Sequence, residues 1–480
     1  MSFDDDVAFA SALEQAELVR SRAVSPVELV SGYLERIEQV DPDLNAFVTV
    51  CGEEALQEAR RAEETAGDLP PFHGVPFPVK DLTETAGVRT TFSSRAYADY
   101  VPERDMALVR RLREAGFILL GKTNTPEFGL APVTEPELNG PTRNPWKLER
   151  TPGGSSGGAA AAVAAGLAPA AHGSDGGGSI RIPASCCGLF GIKPARGRIS
   201  NAPYADGSMA LGTSGPITRT VGDAAALLDV LAGYEPGDAH WAPPPARPFA
   251  AEAYEDPAPL RIALVTKPPP DVPVDVACVR AVDDAGKLLE ELGHTVEQTA
   301  PARQLDEFNP LFMLVWQVSP TLYPLATPEL VEPLTRAFMA RAQDTSSVDY
   351  ARTVARLQML ARSIVTIWLE YDLVLTPTLA LPPMPIGWIY EGDDPRVHLD
   401  RMVEFTPFTP LVNVTGQPAV SIPSSQTDDG LPVGVQMIGR PADEATLLRV
   451  SAQVERARPW AQRRPPAPFG ATLSPARPTP

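Results

Sequence analysis

The sequence predicts an α/β fold, and three observations carry that expectation. An amphipathic helical pattern over 105–116 runs directly into the continuous apolar stretch 117–122, Phe-Ile-Leu-Leu-Gly-Lys, which reads as a strand buried on both faces. The stretch 75–81, Val-Pro-Phe-Pro-Val-Lys-Asp, is extended, because its prolines exclude a helix. Late in the chain, helical patterns over 275–292 and 345–370 give way to strand candidates at 373–376 and 433–438. Helix followed by strand, repeated in this way, builds a sheet with helices packed on it.

The remaining elements follow in order. Residues 7–22, 26–40 and 52–66 carry apolar positions at helical spacing, and Ser25-Pro26 reads as an N-cap followed by a first-turn proline. Residues 131–158 are loop-like, rich in Pro, Gly, Asn and Thr; an alanine-rich helix over 159–168 and a glycine turn over 173–178 follow. A helix is expected at 220–231. Residues 235–260, with Pro243-Pro244-Pro245, read as a surface excursion, and Pro268-Pro269-Pro270 interrupts 265–274. The expected organisation is a single unit over 1–480. It comprises N-terminal helices 1–66, a core from 67–232 and 370–460, a helical and proline-rich excursion 233–369, and a loose tail 461–480. No fixed-period repeat is visible.

Composition excludes several function classes. A chain of 480 residues, 44% hydrophobic, has ample material for a large core. A formal net charge of −19 makes it a poor partner for nucleic acid or an anionic membrane. The start lacks a basic residue run before an apolar one, so no secretory signal is expected there, and the apolar stretch 159–171 is too short to span a bilayer. Cys51, Cys186, Cys187 and Cys278 have no zinc spacing and read as reduced thiols of a cytoplasmic protein. Five scattered histidines provide no metal cluster, so no metal and no cofactor are expected.

Three segments carry chemistry. Gly153-Gly154-Ser155-Ser156-Gly157-Gly158 demands unusual backbone geometry or close backbone approach. The run of small residues from Gly173 through Asp175 and Gly176-Gly177-Gly178 to Ser179 is able to aim several N–H groups at one point, as an oxyanion hole or anion nest requires. Lys80 ends the proline-flanked extended piece. The phosphate-loop, dinucleotide-binding and Gly-x-Ser-x-Gly patterns are all absent. Spacing and composition alone therefore leave a glycine-rich anion or oxyanion site.

Together these segments resemble the amidase signature family. The GGSSGG string, the GSD-GGSIR-P segment that follows it and an upstream lysine in a Val-Lys-Asp context are the family's pattern, and Ser155 precedes Ser179 by the family's interval of 24 positions. Gly121 to Phe128, Cys187 to Pro194, Asn413 to Ala419 and Gly430 to Gln436 extend the likeness over nearly the whole chain. The resemblance implies one amidase domain, a mixed twisted β-sheet covered by helices on both faces. It implies a serine hydrolase cleaving C–N amide bonds through an acyl-enzyme, with a Ser–cis-Ser–Lys triad of Ser179, Ser155 and Lys80. Backbone N–H groups of Gly176, Gly177, Gly178 and Ser179 would form the oxyanion hole, with Ser156, Asp175 and Arg181 supporting the turn. Gly176 departs from the family, where a larger residue is common.

The segments 123–137 and 143–146 look most like the nylon-oligomer hydrolase branch and its urethane-cleaving relatives. Leu130 stands where that branch presents a polar residue, and the apolar stretch 311–316 belongs near the pocket by the same resemblance. Phe128, Leu130, Gly154 and Trp316 are the candidate pocket residues. An apolar wall points to uncharged amides, anilides, aryl esters and, by the same chemistry, carbamates or nylon-type oligomers. The alternatives are a glutaminase-type amidotransferase subunit and a noncatalytic binding subunit. A homodimer is the assembly the resemblance allows.

Overall fold

Two β-sheets organise the chain, seen in a computed structural model that describes residues 3–268, 272–300, 307–392 and 394–470. Pro269, Pro270 and the last ten residues of the expected tail lie outside the described residues. The smaller sheet has three strands, β1 (Phe47–Val50), β2 (Pro76–Lys80) and β3 (Ile118–Thr123), in the order β1-β3-β2. β2 runs parallel to β3, which puts Val79 in register with Lys122 and Lys80 with Thr123. β1 pairs antiparallel with β3, so the region 1–66 is not purely helical as expected.

The larger sheet has eight strands: β4 (Ala170–Asp175), β5 (Phe190–Lys193), β6 (Thr213–Thr218), β7 (Arg261–Leu264), β8 (Thr295–Gln298), β9 (Leu373–Pro377), β10 (Ala419–Gln426) and β11 (Pro432–Gly439). Their order is β4-β6-β5-β10-β11-β9-β7-β8. Pairing is antiparallel from β4 to β9 and parallel across β9, β7 and β8, so the sheet is mixed. The stretch 233–369 is therefore not wholly an excursion. It supplies β7 and β8 with helix Val276–Glu291 between them, and the parallel pairing of these strands requires that crossover.

Alternation along β10 and β11 decides what each face of the sheet holds. Val420, Ile422, Val433, Val435 and Met437 bury into an apolar layer shared with helices Val221–Leu231, Val276–Glu291 and Glu444–Ala457. The intervening Ser421, Gly434 and Gln436 face the opposite side. A Cβ at position 434 would lie 2.8 Å from Ser185 Oγ, so the small residue lets helix Arg181–Cys187 settle directly on the strand. That polar, close-packed face carries the site.

Several boundaries differ from the sequence expectation for identifiable reasons. The pattern over 7–22 is two helices, Asp5–Ala8 and Ala12–Arg20, because Ser11 and Glu14 form a capping box that restarts the helix. The alanine-rich helix spans Gly157–Ala164, beginning two residues and ending four residues earlier than expected. β4 and β6, Ala-Ala-His-Gly-Ser-Asp and Thr-Ser-Gly-Pro-Ile-Thr, have loop composition, yet all six residues of edge strand β4 pair with β6, which lies between β4 and β5. Helix Arg181–Cys187 contains Pro183, which is tolerated because first-turn N–H groups need no helical partner.

Candidate active site

Lys80 ends β2 with its side chain fully buried. Its Nζ donates to Ser155 Oγ at 2.7 Å and to Ser174 Oγ at 3.1 Å, with Ser174 O at 3.4 Å. Burial, which disfavours the ammonium, lowers the lysine to about 7, against a partial restoring effect from the Asp175 charge. Near neutral pH this amine is thus divided between its free-base and ammonium forms.

Ser155 follows a cis Gly154–Ser155 peptide. Gly154 has no room for a side chain: a Cβ there would lie 2.7 Å from the Val133 backbone. Ser156 donates to Ser174 O at 3.2 Å and accepts from Ser174 N–H at 3.3 Å, while the Ser156 N–H donates to Ser179 O at 3.2 Å. These bonds tie the GGSSGG segment to the strand and turn that present Ser179. Ser179 is 6% exposed and opens onto the cavity described below.

The turn before Ser179 is held by a buried ion pair. Asp175 accepts from Arg181 Nε at 3.0 Å and Nη2 at 2.8 Å, and both side chains are fully buried. Burial alone would raise the Asp175 carboxyl; the guanidinium and further donors overcome that and hold it well below the usual carboxylate range. Arg181 completes its fork on Gln436 Oε1 at 2.5 Å, Asn413 Oδ1 at 2.7 Å and Thr409 O at 3.0 Å. This network contains four side chains from three distant segments.

The same carboxylate corrects one sequence expectation. The Gly178 N–H donates to Asp175 Oδ1 at 2.8 Å, so it is committed to the turn and not free for an oxyanion. The N–H groups of Gly176, Gly177 and Ser179 carry no hydrogen bond among the described residues. Gly178 itself has φ of +127°, and a Cβ there would lie 2.3 Å from Thr409 Oγ1.

A cavity of about 70 Å³ opens at Ser179. Gly177, Leu130, Ile182, Phe312 and Trp316 are among its lining residues, and among the described residues no Asp, Glu, Lys, Arg or His side chain is. The structure brings the candidate pocket residues Leu130 and Trp316 to this cavity together, with Trp316 Nε1 donating to Leu130 O at 3.3 Å. Phe128 and Gly154 do not line the cavity. Phe128 lies behind its wall, its ring 4.4 Å from that of Tyr323, and Gly154 is pressed against Val133. Sequence reasoning missed Ser174, Thr409, Asn413 and Gln436. Asn413 and Gln436 stand inside family-like stretches, which was the available signal for them.

His172 is the histidine nearest the turn in sequence. It is fully buried, and burial together with Lys80 and Lys122 lowers it to about 3, so it is held neutral. Among the described residues no group of three or more His, Cys, Asp or Glu is disposed to hold a metal ion, and no helix is long and apolar enough to cross a membrane.

Fold and site together define a hydrolase of amide bonds. Residues 28–448 match the Amidase family, and the chain belongs to this amidase signature family. It is 43% identical over 469 residues to AmiB2 of Mycobacterium tuberculosis, covering 96% of this chain and 98% of that protein. It is 38% identical over 478 residues to the 6-aminohexanoate-cyclic-dimer hydrolase of Paenarthrobacter ureafaciens, covering 95% and 96%. A solved structure of a 6-aminohexanoate cyclic dimer hydrolase with its substrate superposes with a TM-score of 0.90 at 37% identity, covering 95% of this chain and 99% of that one. A bacterial aryl acylamidase of the same family superposes with a TM-score of 0.84 at 30% identity, covering 95% and 98%.

Proposed function

We propose that Ser179 is the nucleophile of an acyl-enzyme mechanism in which Lys80 is the base and Ser155 the relay. The observation that carries this reading is the 2.7 Å contact between Lys80 Nζ and Ser155 Oγ, made by a lysine that burial brings close to neutrality. In the cycle, neutral Lys80 takes the Ser155 proton and Ser155 takes that of Ser179 as Ser179 Oγ attacks the carbonyl carbon. The oxyanion falls to the N–H groups of Gly176, Gly177 and Ser179, the three left uncommitted by the turn. The proton returns from Lys80 through Ser155 to the leaving nitrogen, the C–N bond breaks, and water then attacks the acyl-enzyme by the same relay.

The substrate class follows from the walls. A cavity lined, among the described residues, by no charged side chain favours uncharged amides, anilides and aryl esters, since a buried unpaired charge is costly. Aryl carbamates and nylon-type oligomers present the same kind of carbonyl, and the likeness to a cyclic-dimer hydrolase and an aryl acylamidase supports including them.

The test is a hydrolysis panel of a small amide, an anilide, an aryl ester, an aryl carbamate, a cyclic amide dimer and glutamine. Alongside it, mass spectrometry looks for an acyl group on Ser179. Turnover of neutral aryl substrates with acylation at Ser179, lost in Ser179→Ala, is the expected result. Turnover of glutamine alone would favour the amidotransferase-subunit reading, and no turnover of anything a binding role. Leu130→Asn should change the ratio of anilide to cyclic-dimer activity a few-fold, roughly what one polar contact is worth.

A further inference from the structure

One helix forms a long wall of the cavity. Asn309, Phe312, Met313 and Trp316, from helix Phe308–Trp316, all line it, and their spacing is that of a single helical face. The face is stiff. The rings of Phe308, Phe312 and Trp316 stack in a ladder, with centroids 5.7 and 5.5 Å apart and planes within 20° of each other. The indole N–H is fastened to Leu130 O on the facing loop.

The reacting end of this wall is identified by the glycine turn. A Cβ on Gly176 would lie 3.0 Å from Trp316 Cζ3, and one on Gly177 would lie 3.5 Å from Phe312 Cζ. The turn that presents Ser179 therefore abuts the Phe312–Trp316 end. Asn309 stands at the other end, one turn beyond Phe312 and two turns from Trp316.

Asn309 is also the exceptional residue chemically. Among the described residues, Asn309, Thr406 and Trp316 are the lining residues besides Ser179 with polar side-chain N or O atoms; the Thr406 hydroxyl is engaged, donating to Met402 O at 2.9 Å, and the Trp316 indole N–H is held by Leu130 O. The Asn309 side chain is half-buried and makes no hydrogen bond among the described residues, leaving its two N–H donors and carbonyl acceptor unengaged at the cavity it lines.

We infer that Asn309 is a distal anchor that hydrogen-bonds a second, uncharged polar group of the substrate, while Phe312 and Trp316 pack on the spacer between that group and the scissile bond. Given the helical rise, the second group lies about 5–10 Å from the scissile carbonyl. The substrate class is then narrower than neutral amides: a molecule with two amide or carbamate groups separated by a flat or apolar spacer. A charged second group is disfavoured, because no lining side chain among the described residues is able to neutralise it. This inference rests on the proposal that Ser179 cleaves anilides.

Two substrates isolate the anchor. N,N′-diacetyl-p-phenylenediamine and p-propylacetanilide share the scissile acetanilide and the ring, and differ in having or lacking a distal amide. The wild-type chain should prefer the diamide in kcat/KM. Asn309→Leu, close in size, should lower kcat/KM for the diamide about tenfold and leave p-propylacetanilide within about twofold, the value of one hydrogen bond in a partly dry site. Should the leucine variant fail to fold, Asn309→Ala removes both the donors and the acceptor and should lose the same preference. Equal effects on both substrates, or an unmoved ratio, overturn the anchor while leaving the anilide reading standing. If the wild type hydrolyses neither anilide, both fall together.

Discussion

Lys80 and Lys122 come from neighbouring strands of the small sheet, one register position apart, and both are fully buried. Burial lowers both, Lys80 to about 7 and Lys122 to about 8. Their surroundings differ. Lys122 donates to Thr83 O, to Thr90 Oγ1 at 2.9 Å and to Thr85 Oγ1 at 3.3 Å, three acceptors suited to the three protons of an ammonium. The carboxylates of Asp81, Glu84 and Asp105 further favour its charge. Lys80 meets the hydroxyl of Ser155, whose neighbour Ser156 donates its N–H to Ser179 O, and the carboxylate it feels, Asp175, is already gripped by Arg181. Lys193 is a third case, lowered by burial and by Arg181 to about 7, but its partner is the Pro194 carbonyl, which has no proton to give. A lowered lysine thus becomes a candidate base only where its partner is a hydroxyl on the path to the substrate.

The difference is open to direct attack. Lys80→Met should cut kcat/KM on an anilide by about a thousandfold or more, the scale of a lost general base, while circular dichroism and the melting temperature stay near wild type. A variant keeping a tenth of the activity would remove Lys80 from the mechanism. Asp175→Asn acts instead on stability. It leaves the Arg181 guanidinium buried without its counter-charge, which should cost about 3–5 kcal/mol in chemical denaturation. A loss under about 1 kcal/mol would mean that Gln436, Asn413 and Thr409 suffice to hold Arg181.

Lys122→Met should reverse the pattern seen at Lys80. Three acceptors lose their donor, so a loss of about 2 kcal/mol is expected, with kcat of the folded fraction nearly unchanged. If this variant is stable and inactive, the two lysines have been assigned the wrong way round. The smallest effect is on pH. The active amine is the unprotonated one, and burial moves its titration down, so kcat/KM should rise with pH through an apparent midpoint near 7, set by Lys80. In Lys122→Met that midpoint should stay where it is; a rate falling between about pH 6 and 8, in an enzyme that remains folded, contradicts a lysine base with this titration.

The chain shows which parts of the site were readable. Lys80, Ser155 and Ser179 sit in strings whose composition is unusual, so the stretches stood out before any contact was known. Ser174, Asn413 and Gln436 did not stand out as partners, because their bonds join residues far apart: Ser174 to Lys80 across 94 positions, Asn413 to Arg181 across 232 and Gln436 to Arg181 across 255. β4 and β6 were hidden for a related reason. Their glycine, serine and proline content suits a loop, and only the neighbours on the sheet satisfy their backbone. Arg181–Cys187 was hidden by Pro183, which is harmless in a first turn.

By itself the sequence determined the helices that begin at Ser25-Pro26 and Thr220, the extended proline-flanked strand ending at Lys80, and the two glycine–serine strings with their spacing. Each of these depends on local backbone chemistry: a cap, a ring that forbids a helix, a missing Cβ. Tertiary structure alone decided which buried lysine meets a serine, which glycine N–H is spent on Asp175, and that Asn309 faces the cavity. Those outcomes depend on what else arrives at the same point, and the partners come from strands, turns and helices that only packing brings together.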